Sequence, residues 1–167
     1  MTAAWIELER GNARGCSEAL EEAVALGASV ARVRCLDGLR LCASGSYAGA
    51  VAELAGAIED LRDDPRWLAN GLVGRGIALA YLLRLAEAER DLLAAQEIYG
   101  RIGEEVRVSI CVHNLGFVAL QGGDVPRALA LFEVASGGLR KGRAVTAGRG
   151  LDSREGRRGS WWGWWRR

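Results

Sequence analysis

At 167 residues, half of them apolar, the chain is long enough for one domain with a buried core. Its formal net charge of +1 hides an asymmetry: residues 137–167 hold nine Lys/Arg against two Asp/Glu, which leaves residues 1–136 at −6. An acidic body argues against nucleic-acid binding there, and no apolar run reaches the roughly 18 residues of a membrane span.

In chain order, Met1–Arg10 reads as a helix carrying Trp5, Ile6 and Leu8, Gly11-Asn12 as a turn, and Ala13–Leu26 as a second helix stopped by Gly27. Ser29–Ala43 and Ser46–Leu61 make a second pair with Gly45 between them. Asp63-Asp64-Pro65 is a boundary at which Asp64 caps the next helix and Pro65 enters its first turn, where a missing N–H costs nothing. Pro65–Leu82 and Leu85–Arg101 form the third pair, with Leu83 in the turn where a glycine is expected. Gly103 ends that pair. Glu104–Gln121 and Val125–Ala135 form the fourth around Gly122-Gly123-Asp124, with Asp124 as cap and Pro126 in the first turn.

Past Ser136 the apolar periodicity stops. The segment to Arg167 holds eight glycines and ends Trp161-Trp162-Gly163-Trp164-Trp165-Arg166-Arg167. The expected organisation is therefore a helical array over 1–136, with hairpins at about 1–27, 28–62, 63–102 and 103–136, and a disordered Gly/Arg/Trp-rich tail over 137–167. Two other readings of the tail stay open. Arg, Gly, Ala and Trp are what GC-rich DNA gives out of frame, and a Trp/Arg segment also suits an anionic membrane surface or stacking on nucleic acid.

The hairpins share a register. Gly116, Ala128 and Ala135 are spaced 12 and 7 apart, as are Gly76, Ala88 and Ala95, then Gly38, Ala50 and Ala57, then Ala4, Cys16 and Ala23. A large apolar residue follows the second small one by four in each set: Leu20, Leu54, Leu92 and Phe132. Small residues at a helix crossing let the axes approach, and the large residue fills the space beside them.

These spacings resemble the tetratricopeptide repeat, a helix-turn-helix of about 34 residues marked Trp-x2-Leu-Gly-x2-Tyr, then Ala-x3-Phe. The fourth repeat reads Val112-x2-Leu115-Gly116-x2-Ala119, then Ala128-x3-Phe132. The third reads Leu72-x2-Arg75-Gly76-x2-Leu79, then Ala88-x3-Leu92. The second reads Arg34-x2-Asp37-Gly38-x2-Leu41, then Ala50-x3-Leu54. Arg75 and Asp37 depart from the motif leucine. The stretch from Leu68 to Phe132 is similar to the tetratricopeptide arrays that precede CHAT domains, which are caspase-like protease domains, in high-GC bacteria.

The resemblance implies an all-α, right-handed solenoid of about four hairpins whose first helices line a concave groove. Carried over by register, the groove positions are Arg32, Cys35 and Leu39 in the second repeat and Asn70, Val73, Ile77 and Tyr81 in the third. In the fourth they are Ile110, His113, Phe117 and Gln121. Leu39, Ile77 and Phe117 share one motif position and are expected to align as an apolar stripe, with His113 at its edge. Family members that clamp a peptide carboxylate use Lys and Asn in this groove; Cys35, Val73 and His113 stand where that lysine would be, so a carboxylate clamp is not expected.

No enzyme signature is present, and neither a cofactor nor a metal is expected. The single histidine gives no His-based metal set, and no cysteine spacing resembles a zinc site. Gly71-Leu72-Val73-Gly74-Arg75-Gly76 follows no strand and so is not read as a phosphate loop. Cys111 and His113 are two apart on a helix and point to different sides. Cys35 and Cys42, seven apart and so about 10 Å along a helix, are too distant for a disulfide. With Cys16 and Cys111 they read as small buried residues in a reducing compartment. Glu7 and Glu9 near the start, with no basic-then-apolar leader, predict no signal peptide and a cytoplasmic location.

The expected function is a non-catalytic scaffold that binds a protein or peptide, a helix or a neighbouring domain in the groove. One alternative is the truncated sensor or regulatory arm of a longer signalling or CHAT-type protease protein, its groove then filled by an intramolecular partner. The other is membrane-surface or nucleic-acid binding through the tail.

Overall fold

The computed structural model describes residues 1–148, with side chains through Arg140 apart from those of Glu9 and Ala13. Among the described residues the chain is entirely helical: α1 (Thr2–Glu9), α2 (Ala13–Ala25), α3 (Val30–Ala43), α4 (Tyr47–Asp60), α5 (Pro65–Tyr81), α6 (Leu85–Arg101), α7 (Glu105–Gln121) and α8 (Val125–Gly148). They pair in sequence as α1·α2, α3·α4, α5·α6 and α7·α8. Each hairpin packs on the next through α2·α3, α4·α5 and α6·α7, and the first helices touch through α1·α3, α3·α5 and α5·α7.

Local chemistry sets the helix ends. Asn12, Asp64 and Asp124 accept hydrogen bonds from the backbone N–H groups of Gly15, Trp67 and Arg127, which satisfies donors that the first turn leaves orphaned. Six helix ends close alike, with backbone N–H donors at Asn12, Ala28, Ser46, Arg84, Glu104 and Asp124 reaching the carbonyl five residues back at 2.9 Å. This Schellman closure needs a residue with positive φ just before the donor. Glycine fills that place at Gly11, Gly27, Gly45, Gly103 and Gly123, whereas Leu83 takes φ 58°.

All twelve small residues of the register are buried, and the structure shows why. A Cβ built on Gly38 would lie 2.6 Å from Leu54 Cγ, one on Gly76 2.9 Å from Leu92 Cγ, and one on Gly116 2.7 Å from Phe132 Cε1. In each hairpin the glycine of the first helix lies under the large residue sixteen positions later. Ala4 and Leu20, sixteen apart in the first hairpin, are both buried. Arg75, where the motif has leucine, uses the same separation for a two-pronged ion pair with Asp91, at 2.7 and 2.9 Å.

Two apolar clusters result, one through α1–α5 and one through α5–α8. Val51, Ile58, Leu68 and Ile77 pack against both, so the core runs on from hairpin to hairpin.

One expectation is corrected. The last helix does not stop near Ala135 but runs to Gly148. Gly137-Gly138 is not a breaker, because a Cβ on Gly138 would lie 2.2 Å from Ser109 Oγ. That glycine is the clearance α8 needs against α7, and Leu139–Ala147 beyond it is rich in helix formers. The expected tail therefore begins inside a helix. Its remainder, residues 149–167 with the Trp161–Trp165 cluster, lies outside the described residues.

Two measurements check this account. Gly116→Leu should cost about 1–3 kcal/mol or more through overpacking, because Phe132 and the Ala128 carbonyl close the space. Gly100→Ala, which meets nothing within 4 Å, should instead stabilise by about 0.5–1 kcal/mol. Urea denaturation reads both, and an unchanged midpoint for Gly116→Leu would refute the crossing. Separately, Leu83 is 65% exposed, so little burial offsets its left-handed backbone. Leu83→Gly should raise stability by about 1 kcal/mol, and a lower midpoint would show that the leucine contributes more than its strain costs.

Candidate functional site

The first helices α3, α5 and α7 carry the residues singled out by register, and the structure divides them. Cys35 and Leu39 are buried. Leu39 Cδ2 fills the space that a Cβ on Gly74 would need, at 2.3 Å, and Cys35 Sγ lies 3.8 Å from the Trp67 carbonyl. Glycines at 71 and 74 remove bulk from α5, so α3 packs directly on it, and both residues belong to that seam rather than to an open groove.

Val73 and Asn70 are also buried. Asn70 Oδ1 accepts hydrogen bonds from the Tyr99 hydroxyl at 2.6 Å and from Arg107 Nη1 at 3.1 Å. A cavity of about 10 Å³, room for about one water, is lined by Asn70, Val73, Tyr99, Arg107 and Ile110. Desolvation pushes the Tyr99 phenol well above its ordinary range, so it stays a neutral donor.

Phe117 is only 8% exposed, and Ile77 is half-buried between the two core clusters. The row Leu39, Ile77 and Phe117 thus exists but does not form an exposed apolar stripe. His113 is half-buried with its ring centroid 4.9 Å from that of Phe132 on α8, facing its hairpin partner. Burial lowers its pKa, which disfavours its charged form.

Solvent reaches Arg32, Tyr81 and Gln121. Arg32 Nε donates to Asp64 Oδ2 at 2.9 Å beside an open depression of about 500 Å³ lined by Ser29, Asp60, Leu61, Asp63 and Pro65. The Tyr81 ring stacks on Tyr47 at 4.3 Å, nearly parallel, and tilts against Phe117 at 5.2 Å. Three aromatic rings from α4, α5 and α7 therefore meet at one end of the first-helix face.

At the other end lies a cluster that register reasoning passed over. Trp5 of α1 meets Trp67 of α5 edge-on, with centroids 5.8 Å apart and planes at 87°. The Arg107 guanidinium lies 5.9 Å from the Trp5 ring centroid and 5.6 Å from that of Tyr99. Arg107 also pairs with Glu104 at 3.8 Å, and Glu104 bonds Arg66 as well. A signal for it was present: Trp5 holds the same motif position as Leu39, Ile77 and Phe117, and Trp67 the same as Arg107.

Desolvation pushes the thiols of Cys35, Cys42 and Cys111 up to about 12. They are therefore protonated and poorly nucleophilic, and Cys111 makes no dyad with His113. Among the described residues no three His, Cys, Asp or Glu side chains are grouped to hold a metal ion. No helix among them is long and apolar enough to cross a membrane. Comparison of the chain with protein-family models, curated proteins and solved structures finds no match.

The His113 environment carries a pH consequence. Its folded pKa is depressed below the ordinary 6.5, so on acidification the unfolded chain binds the proton first. Stability from this group is complete above about pH 6.5 and is lost as pH falls through the depressed value. The ring is half in solvent, so the loss should be a modest fraction of a kcal/mol. Urea midpoints at pH 7.5 and 5.5 should fall further for the parent than for His113→Gln; parallel losses would place the imidazole in water.

Proposed function

We propose that this chain is a non-catalytic protein-interaction module of the tetratricopeptide-repeat kind. Its hairpins stack as a right-handed solenoid, and the face made by its first helices holds a peptide, a helix or a neighbouring domain. The observation that carries the reading is the recurring crossing in which Gly38, Gly76 and Gly116 lie under Leu54, Leu92 and Phe132. It is joined by the succession α1·α3, α3·α5 and α5·α7. Repeats built this way form an extended, side-chain-lined face. The four free, buried thiols suit a reducing compartment, which supports the cytoplasmic setting.

On this reading the contact residues are those the face leaves accessible: Arg32, Tyr81 and Gln121, with Ile77 and His113 half-buried between them. Tyr81 is the best anchor, an amphipathic ring already held by Tyr47 and Phe117 and so costing little entropy on binding.

A second reading, the regulatory arm of a larger signalling or CHAT-type protein, has its own support. Leu129 and Val134 on α8 are each 63% exposed. They hold the positions of Val51 on α4 and Ala94 on α6, which pack into the core. A neighbouring element seated on α8 would cover them.

The test is affinity capture with the full chain, followed by calorimetric titration of the recovered partner. Tyr81→Ala should weaken binding by about 2 kcal/mol. Glu97→Ala, on the outer surface of α6 with its side chain 72% exposed, should do nothing. Equal effects from the two, with both variants folded, would move the interface off this face.

A further inference from the structure

Trp5 does more than close its own hairpin. Ala4 and Leu8 on the same helix join the core with Cys16 and Leu20, and Trp5 packs against that cluster while its indole also reaches Trp67 and Arg107 on the third and fourth hairpins. Packing between consecutive hairpins does not require that contact. It is an indole on the first-helix face in contact with the Trp67 ring at a near-right angle and with the Arg107 guanidinium over its own ring.

The element that delivers it is short and weakly capped. α1 has eight residues, its N-cap Met1 makes no side-chain hydrogen bond, and its first turn has no acidic residue. A helix this short has little stability of its own, so its position depends on the contacts it makes. The place it covers also brings two guanidiniums, those of Arg66 and Arg107, to the one Glu104 carboxylate.

We infer that Trp5 is an internal ligand, a latch whose indole occupies a binding place walled by Trp67 and Arg107. The external ligand that displaces it is a peptide presenting an aromatic side chain next to a carboxylate. The aromatic ring takes the seat of Trp5, where edge-to-face and cation–π contacts favour an electron-rich ring, and the carboxylate supplies the charge that the two arginines share. This rests on the reading of the first-helix face as an interaction surface and names the chemistry of its partner.

The test uses the full chain, the variant Trp5→Ala, and the probes N-acetyl-Trp-Glu amide and N-acetyl-Ala-Glu amide, followed by NMR titration of the Trp67 indole N–H. Trp5→Ala should keep its helical circular dichroism and bind the Trp probe saturably, at least about tenfold tighter than the parent does. The Ala probe should bind far more weakly, and adding Arg107→Gln should weaken the Trp probe again. Loss of helical signal in Trp5→Ala would make Trp5 a core residue and overturn the latch. So would absence of saturable binding to the folded variant, or equal binding by the parent. A recovered partner that binds parent and Trp5→Ala alike would overturn the latch and leave the interaction reading standing. A probe that fills the vacated seat while Tyr81→Ala leaves the partner unaffected would do the reverse.

Discussion

The rest of the structure depends on a close crossing between the two helices of a hairpin. A glycine on the first helix presents bare backbone, and a leucine or phenylalanine sixteen residues later lies on it with less clearance than a Cβ would leave. Glycine in mid-helix costs about 1 kcal/mol of propensity, yet the position recurs at Gly38, Gly76 and Gly116. What offsets the cost is burial: Leu54 and Leu92 are fully enclosed, worth about 1.5–3 kcal/mol each. The short separation then brings the flanking alanines into contact, so Ala50, Ala57, Ala88 and Ala95 form core where larger residues would hold the helices apart.

That constraint explains why so much of the fold was legible. Small residues at a fixed spacing are a one-dimensional record of a crossing, and turn glycines are a record of positive φ. The helix ends follow the sequence reading to within one residue everywhere but at the end of α8. There the reading failed because apolar periodicity ends at Ser136, while the helix continues with Gly138 giving clearance beside Ser109 on another helix. Leu83 was legible as an exception, and the structure gives it the backbone conformation of the glycines it replaces.

The candidate site was much less legible. Register places residues on a helix face but does not say whether the next helix covers that face. Cys35 and Leu39 are covered because α5 offers Gly71 and Gly74 to them, a property of α5 and not of α3. Tyr81 stays partly open at the helix end. The contacts of Trp5 with Trp67 and Arg107 join hairpins that are not neighbours, and no local pattern encodes such a pairing. Trp5 stood in the same row as Leu39, Ile77 and Phe117, but its hairpin matched the motif least.

The same row therefore behaves differently at its two ends, and the reason is the neighbour. At Leu39 and Phe117 the row meets glycine or aromatic side chains and becomes core. At Trp5 it meets Trp67 and Arg107, an aromatic edge and a charge. Hairpins that contact only the next one in line have stabilities that add as nearest-neighbour terms. A contact from the first hairpin to the third and fourth breaks that additivity: it couples α1 directly to α5 and α7, in addition to the packing of α1 on α3. The energy in such a contact belongs to no single hairpin, and whatever competes for it acts on both ends of the array together. The first helix is anchored in the core through Ala4 and Leu8, with Trp5 packed against the same cluster, so the long-range contact adds to that packing and does not replace it.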